Sequence, residues 1–408
     1  MSPAPAGWAS DQVSATSARR LVGLDVARCL ALIGMVSTHV LADRGPGGEL
    51  NLGQALAGGR AAALFAVLAG VTIALMSGGT HPAAGRERGA RSVAFAVRAL
   101  LIASLGLVLG ELETSLAIIL TYYGVLFLLG LPFLGLRARS LFVLAAFWIV
   151  LGPVVSHVVR PHLPDRQFAS PAFDQLADPG RLLSELLFTG YYPCVPWLAY
   201  LLVGMAVGRL DLRRGTVHAW LAGAGLALAL AATGISRWLT AQDGVMDRIL
   251  AGEPESMTGP ALLDAIAGGM FGQTPVNGSW AWLLVVAPHS STPFDLAQTI
   301  GSALLVIGLC LGLVELYGER TQRVLAIVFG AGTMTLTLYS LHVVMRTQEV
   351  WPPEVPESYG WHVLVLMSIG AVCVALRRRG PLEHLVSSWS SAAAALVRGD
   401  AERPTIKG

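Results

Sequence analysis

The stretch "RLVGLDVARCLALIGMVSTHV", residues 20–40, is apolar enough to be a membrane helix, yet it carries Asp25, Arg28 and His39. With Leu32 and Met35 these residues are spaced by 3, 4, 3 and 4, which puts all five on one helical stripe. Asp25 and Arg28 can pair across one turn. Arg28 and His39 are separated by about 16 Å along an axis that rises 1.5 Å per residue. A guanidinium suits phosphate groups, which it holds by charge-assisted contacts. A neutral imidazole suits proton abstraction from a hydroxyl or an amine. Ionisable groups at membrane depth are costly unless they face a polar interior, so the stripe is expected to look into a bundle. The plainer alternatives are an interfacial Asp25–Arg28 ion pair and a packed, hydrogen-bonded His39. The shared face and the span between the groups favour a lined path.

Three further groups could take part in chemistry. "APHSSTPFD" holds His289, Ser290, Ser291, Thr292 and Asp295. A Ser/His/Asp triad is defined by geometry rather than by closeness in sequence. Capping of the next helix is therefore the expected role of Ser291, Thr292 and Asp295, which leaves His289 as a second base or an acceptor-binding group. His342, in "LYSLH", falls near the depth expected for His39, with an interhelical hydrogen bond as the alternative to a functional role. Arg98 lies inside an apolar run and needs a phosphate or carboxylate to face. The catalytic candidates are thus His39, His289 and His342, and the ligand-binding candidates are Arg28, Asp25 and Arg98. Tyr122, Tyr123, Tyr191 and Tyr192 read as interfacial belt aromatics, and Arg60 as a side chain that snorkels to water. Cys29, Cys194, Cys310 and Cys373 read as small buried hydrophobes without metal-like spacing. No metal is called for, and no P-loop, dinucleotide fingerprint or zinc signature is present.

The elements that must position these groups are membrane helices. The 408 residues are 54% hydrophobic and 13% charged, about half the charge of an ordinary soluble domain. Apolar runs of about 20 residues recur, the length that crosses a hydrocarbon core. Ten spans are expected, near 21–42, 57–77, 91–111, 116–134, 140–159, 190–209, 217–238, 297–317, 323–345 and 361–377. The connections alternate in charge. One side carries fifteen arginines in the N-terminal arm, "GRERGAR", "RARS", "RLDLRRG", "GERTQR" and Arg377 to Arg379; the other carries seven in longer, acid-rich loops. By the positive-inside rule both termini are expected in the cytoplasm. The loop 239–296 faces outward and holds two runs, "PALLDAIAGGMF" and "WAWLLVVAP", too short to span and expected to be interfacial or re-entrant. "PLEHLVSSWSSAAAALV" puts Leu382, Leu385, Val386, Trp389 and Leu396 near one face of an expected interfacial helix. No internal repeat suggests an inverted-repeat transporter.

The pattern R-x-x-x-L-D-x-x-R-x-x-A-x-x-G-M-x-x-x-H, ending at His39, resembles the first-helix signature of the transmembrane acyltransferase superfamily. Within it, the chain is most similar to the bacterial relatives of heparan-alpha-glucosaminide N-acetyltransferase. Similar stretches recur at 65–75, 191–212, 287–308, 332–344 and 380–386. Arg28, ten residues and then His39 also match the Arg-x10-His pattern of membrane O-acyltransferases. There are departures. Cys29 replaces a usual glycine, and the animal enzyme carries Asn at the position of His39 and its catalytic histidine in the following loop. That loop here, "LADRGPGGELNLGQALAGG", has no histidine, so the carry-over of a catalytic histidine rests on His39.

Composition and patterning predict an all-α polytopic bundle in three parts, a disordered cytoplasmic arm at 1–18, a transmembrane domain at 19–379 and a cytoplasmic interfacial helix with a polar tail at 380–408, and the resemblance makes the middle part acyltransferase-like. It implies transfer of an acyl group, most simply acetyl, from cytoplasmic acyl-CoA as co-substrate to a sugar or cell-envelope glycoconjugate on the outer side of the cell membrane. Membrane lipid and a small-molecule or glycolipid acceptor are the implied partners, with a homodimer admissible and nucleic acid not expected. A transporter of lipid or small solutes is the alternative from another class. A structural membrane partner would leave the cost of the charged stripe unexplained.

Overall fold

The computed structural model describes residues 21–251, 253–254, 257–348 and 358–399; the arm 1–18 and the tail beyond 399 lie outside them. The described residues are helical, in the order α1 (Val22–Val40), α2 (Leu52–Ala57), α3 (Arg60–Met76), α4 (Gly85–Gly110), α5 (Leu120–Gly130), α6 (Ala138–Val159), α7 (Pro179–Ser184) and α8 (Cys194–Gly208). There follow α9 (Gly215–Thr240), α10 (Val245–Leu250), α11 (Gly259–Ala267), α12 (Pro293–Glu315), α13 (Glu319–Val328), α14 (Thr335–Met345), α15 (Tyr359–Ala375) and α16 (Pro381–Arg398).

Among the described residues, six helical stretches are long and apolar enough to cross a membrane, and a seventh forms if Pro179–Thr189 and Cys194–Gly208, bent by 56°, are taken as one. The other expected spans are shorter apolar helices of 10–17 residues, at Leu120–Gly135, Thr335–Met345 and Tyr359–Ala375. The expected continuous helix at 323–345 is not formed. It breaks into α13, a 3-10 turn at Gly330–Thr333 and α14. The turn brings Gly332 against the backbone of Asp25 and Cys29 so closely that a Cβ there would collide with both, and the short helices abut internal cavities rather than two lipid faces.

The centre is built by α1, α3 and α12, which pack on one another, with α8 against α3 and α12, α9 along α12, α6 along α8 and α5 along α4. Without a hydrophobic drive between helices in lipid, close approach at small residues holds such bundles. Gly70 and Gly204 carry the crossing of α3 and α8: a Cβ on either would strike the opposing backbone. Gly204→Val is therefore expected to cost about 1–3 kcal/mol or more, as overpacked cores do, and to lower Tm in detergent, with aggregated protein in size exclusion. Gly223→Val on α9, where nothing lies within 4 Å of the added Cβ, is the control and is expected to be neutral. Equal thermal stability of the two variants would contradict this account of the crossing.

The connections sort to two ends. At one, Arg209 donates to the carbonyls of Ala74 (2.7 Å), Gly79 (3.0 Å) and Leu134 (2.6 Å) and to Ser77 Oγ (2.9 Å), tying three connections together. At the other, Arg160 donates to Gln273 Oε1 (2.9 Å) and to the Thr274 carbonyl (2.7 Å), Arg44 pairs with Asp264 at 3.1 Å, and Gln54 donates to the Gly268 carbonyl. This second end is capped by α10, α11 and a 3-10 turn at Trp280–Leu284, around a small core of Ile249, Leu262, Ile266, Trp282 and Val285. The short runs of the long loop thus form a lid of half-helices.

α16 packs along α4, with Arg398 on Glu87 (2.8 Å). Its expected single apolar face is divided in two. Val386, Ser390 and Ala394 are buried, while Leu385, Trp389 and Leu396 are exposed on the rest of the helix. One face is used by α4 and the other is left outward.

Candidate functional site

α1 runs through the site. It has an acid in its first turn and a histidine in its last, and no proline interrupts its ladder. Asp25 and Arg28 pair at 2.9 Å, and Arg28 also donates to Thr72 Oγ1 on α3 at 2.9 Å. Of the five stripe residues, Asp25, Arg28 and Met35 line one cavity and Met35 and His39 a second. Leu32 is fully buried and lines neither.

The first cavity, about 730 Å³, opens at the Arg209 end. Arg28, Arg98, Arg377, Arg378 and Arg379 line it, against two carboxylates, Asp25 and Glu383. Both carboxylates are engaged. Asp25 holds Arg28, and Glu383 caps α14 by accepting from the Leu336 amide (2.8 Å), the Thr337 amide (3.2 Å) and Thr337 Oγ1 (2.6 Å). The cavity is therefore cationic, and its size is that of a ligand pocket. Arg98, half-buried on α4, makes no hydrogen bond among the described residues and faces this space with the arginine run. The arrangement suits a polyanion.

The second cavity, about 680 Å³, opens at the other end. His39, His289, Tyr191, Tyr192 and Arg166 line it. The Arg166 guanidinium lies over Phe168 (5.0 Å), Tyr191 (5.5 Å) and Phe271 (5.8 Å). Such a cluster of polar groups and ring faces suits a sugar or another flat polar molecule. Met35 is the one residue shared by the two linings among the described residues. Segment 114–120 helps to part them, with Thr114 and Ala117 facing one cavity and Ile119 and Leu120 the other.

His289 has φ +57° and Ser291 φ +52°, a costly conformation for residues with a Cβ and one that gathers at functional sites. The local hydrogen bonds hold this loop. Thr292 Oγ1 accepts from the Asp295 amide (3.1 Å) and donates to the Val285 carbonyl (2.6 Å), and Asp295 accepts from the Ser291 amide (2.9 Å). Ser291, Thr292 and Asp295 form the cap of α12 and no triad with His289. Burial pushes the His289 imidazole down to about 4, so the ring is neutral at pH 7, and it packs against Tyr191 and Tyr192.

His39 and His342 are brought together across 303 residues. His39 Nδ1 lies 3.1 Å from His342 Nε2, with ring planes 9° apart and centroids 5.3 Å apart. A contact that short at that centroid separation means the rings meet edge to edge. His342 Nδ1 in turn lies 3.1 Å from His362 Nδ1 on α15. His342 and His362 are buried; of the three, only His39 lines either of these two cavities.

Sequence reasoning named His39 and His342 without their contact, and missed His362, Arg166, Phe168 and Phe271. The signal for His362 is an imidazole in an apolar helix, as for His342. Arg166, Phe168 and Phe271 stand in loops and carry no such mark. The tyrosines are not belt aromatics. Tyr122, Tyr123 and Tyr192 are buried, because they fill the walls between and around the cavities rather than the lipid-facing rim. Arg60 does not snorkel freely but donates to the Ala55 carbonyl (2.8 Å) across the break between α2 and α3.

The sequence profile of the family described as heparan-alpha-glucosaminide N-acetyltransferase, catalytic, matches residues 20–239. That range is more than half of the chain and contains Asp25, Arg28, His39, Arg98 and Arg166. No curated protein matches the chain significantly.

Proposed function

The chain belongs to the heparan-alpha-glucosaminide N-acetyltransferase catalytic-domain family, a family of membrane-embedded transferases, and from that premise we propose that it carries an acetyl group across the membrane from cytoplasmic acetyl-CoA to an amino sugar or cell-envelope glycoconjugate outside. One observation carries this reading: two cavities enter from opposite ends of the bundle and meet at Met35. By the positive-inside rule the end gathered by Arg209 is cytoplasmic, and CoA is a cytoplasmic polyanion. Arg28, Arg98 and Arg377 to Arg379 would hold its phosphates. The pantetheine arm would then run along α1 toward Met35 and bring the thioester near His39. The acceptor would enter over Tyr191, Phe168 and Phe271, and His39 would take its proton as the carbon–sulfur bond breaks. No charged species need leave the bundle midway, because donor and acceptor each stay on their own side.

Sidedness tests the reading. Sealed inside-out membrane vesicles loaded with methyl α-glucosaminide are expected to acetylate it when acetyl-CoA is added to the medium, whereas right-side-out vesicles in the same medium are not. Transfer with both reagents on one face, or no heat of acetyl-CoA binding to the purified protein, would sink it.

A further inference from the structure

Three imidazoles from α1, α14 and α15 stand in an unbroken line, His39 Nδ1 to His342 Nε2 and His342 Nδ1 to His362 Nδ1, each step 3.1 Å. A buried neutral imidazole has one donor and one acceptor nitrogen to satisfy. Here the middle ring spends both nitrogens on the other two, in a region where a polar group without a partner is expensive. Each ring lies near a helix end: His39 in the last turn of α1, His342 in the last turn of α14 and His362 in the first turn of α15.

The contacts admit two orderings of the protons, and the two differ in chemistry. In the first, His39 donates from Nδ1 to His342, His342 donates from Nδ1 to His362, and His39 Nε2 is a bare base toward the cavity. In the second every proton is shifted by one bond, and His39 Nε2 carries a proton and is a donor. Passing one proton down the line converts the first state into the second, which sets the tautomer of each ring by its neighbour.

We propose that His342 and His362 form a proton relay for His39, so that the proton taken from the acceptor leaves through α14 and α15 rather than back through the acceptor cavity. This rests on the acyltransferase reading above. The acceptor nitrogen or oxygen attacks the thioester carbon and forms its new bond. The carbon–sulfur pair leaves with sulfur, which takes a proton from the CoA side. The acceptor's proton goes to His39 Nε2, the Nδ1 proton of His39 to His342 Nε2, and the Nδ1 proton of His342 to His362 Nδ1; His362 then releases one from Nε2. His39 is restored as a base when the line reorders. The charged group that faces the line is Arg346, which acts on all three rings, and the other titratable group beside it is the neutral imidazole of His289, next to His39. His342 and His362 are positioning residues in this scheme, since only His39 faces the cavity.

Two measurements on the full chain in nanodiscs test it. With histidine labelled by nitrogen-15, the spectrum is expected to show His342 bonded at both nitrogens, and His362→Gln is expected to change the tautomer of His39, two helices away. With acetyl-CoA and methyl α-glucosaminide as probes, His362→Gln is expected to lower kcat roughly tenfold or more, toward the scale of a lost proton-transfer group. KM for acetyl-CoA should be unchanged and added imidazole should restore part of the rate. In mixed heavy and light water the unmodified chain should show several protons in motion and the variant one. His362→Asn is the second variant should the first fail to fold. A variant with normal kcat, a rate loss without imidazole rescue, or an unchanged His39 tautomer would overturn the relay alone. No transfer by the unmodified chain would overturn the acyltransferase reading, and the relay's role with it, even with the tautomers as described.

Discussion

His39→Ala is expected to lower acetyl transfer at least about 10²-fold, the scale of a lost acid–base catalyst, while the protein still inserts and binds acetyl-CoA. His39 is the titratable residue of the α1 stripe that faces the second cavity, and it lies beyond Met35 from every arginine of the first. Its loss therefore removes the base without touching the cationic cavity. His39→Asn is expected to be equally inactive. The animal enzyme carries Asn at this position and has a histidine in the next loop, but residues 41–59 here contain none. His289→Ala and His342→Ala belong in the same experiment. His289 shares the cavity, with a neutral ring held in a strained loop; His342 reaches the acceptor only through His39. Normal turnover by His39→Ala alongside a dead His289 variant would move the base to His289. Full activity in all three would remove the histidine mechanism.

Arg28→Ala is expected to weaken acetyl-CoA binding by the worth of a charge-assisted hydrogen bond, about 1.5–3 kcal/mol, or roughly ten- to 150-fold in Kd. Two features of the site push the effect toward the upper end. Arg28 neutralises Asp25 at 2.9 Å, so its removal leaves a buried carboxylate facing the phosphates. Arg28 is also fixed by Thr72, so little ordering is needed on binding. The loss should depend on salt, since a charge is what is removed. Arg98→Ala, without a pre-set partner, is expected to cost less. Unchanged affinity for Arg28→Ala in titration calorimetry would exclude Arg28 from the donor site. A matched loss in Asp25→Asn would point to the ion pair rather than to a phosphate contact.

The class of the protein and the stripe of polar groups on α1 were legible from the residues alone. Composition and the length of the apolar runs sufficed for a membrane bundle, because the bilayer dictates both. The stripe on α1 was legible because a helix places residues three and four apart on one face whatever surrounds it. The capping of α12 by Thr292 and Asp295 was legible for the same reason, being settled within a few residues. Three things were decided only in three dimensions. The length of a span was one: the run 323–345 is largely apolar, yet it breaks where Gly332 must pass the backbone of Asp25, although the two lie far apart in sequence. The role of the tyrosines was another, since an aromatic at a helix end reads the same whether it meets lipid or a cavity. The third was the line of histidines. His39, His342 and His362 are unremarkable singly, and their meeting depends on how α1, α14 and α15 are brought together, which no local spacing encodes. Local periodicity fixes what each helix presents; which helices share a cavity is set by close packing across the whole bundle.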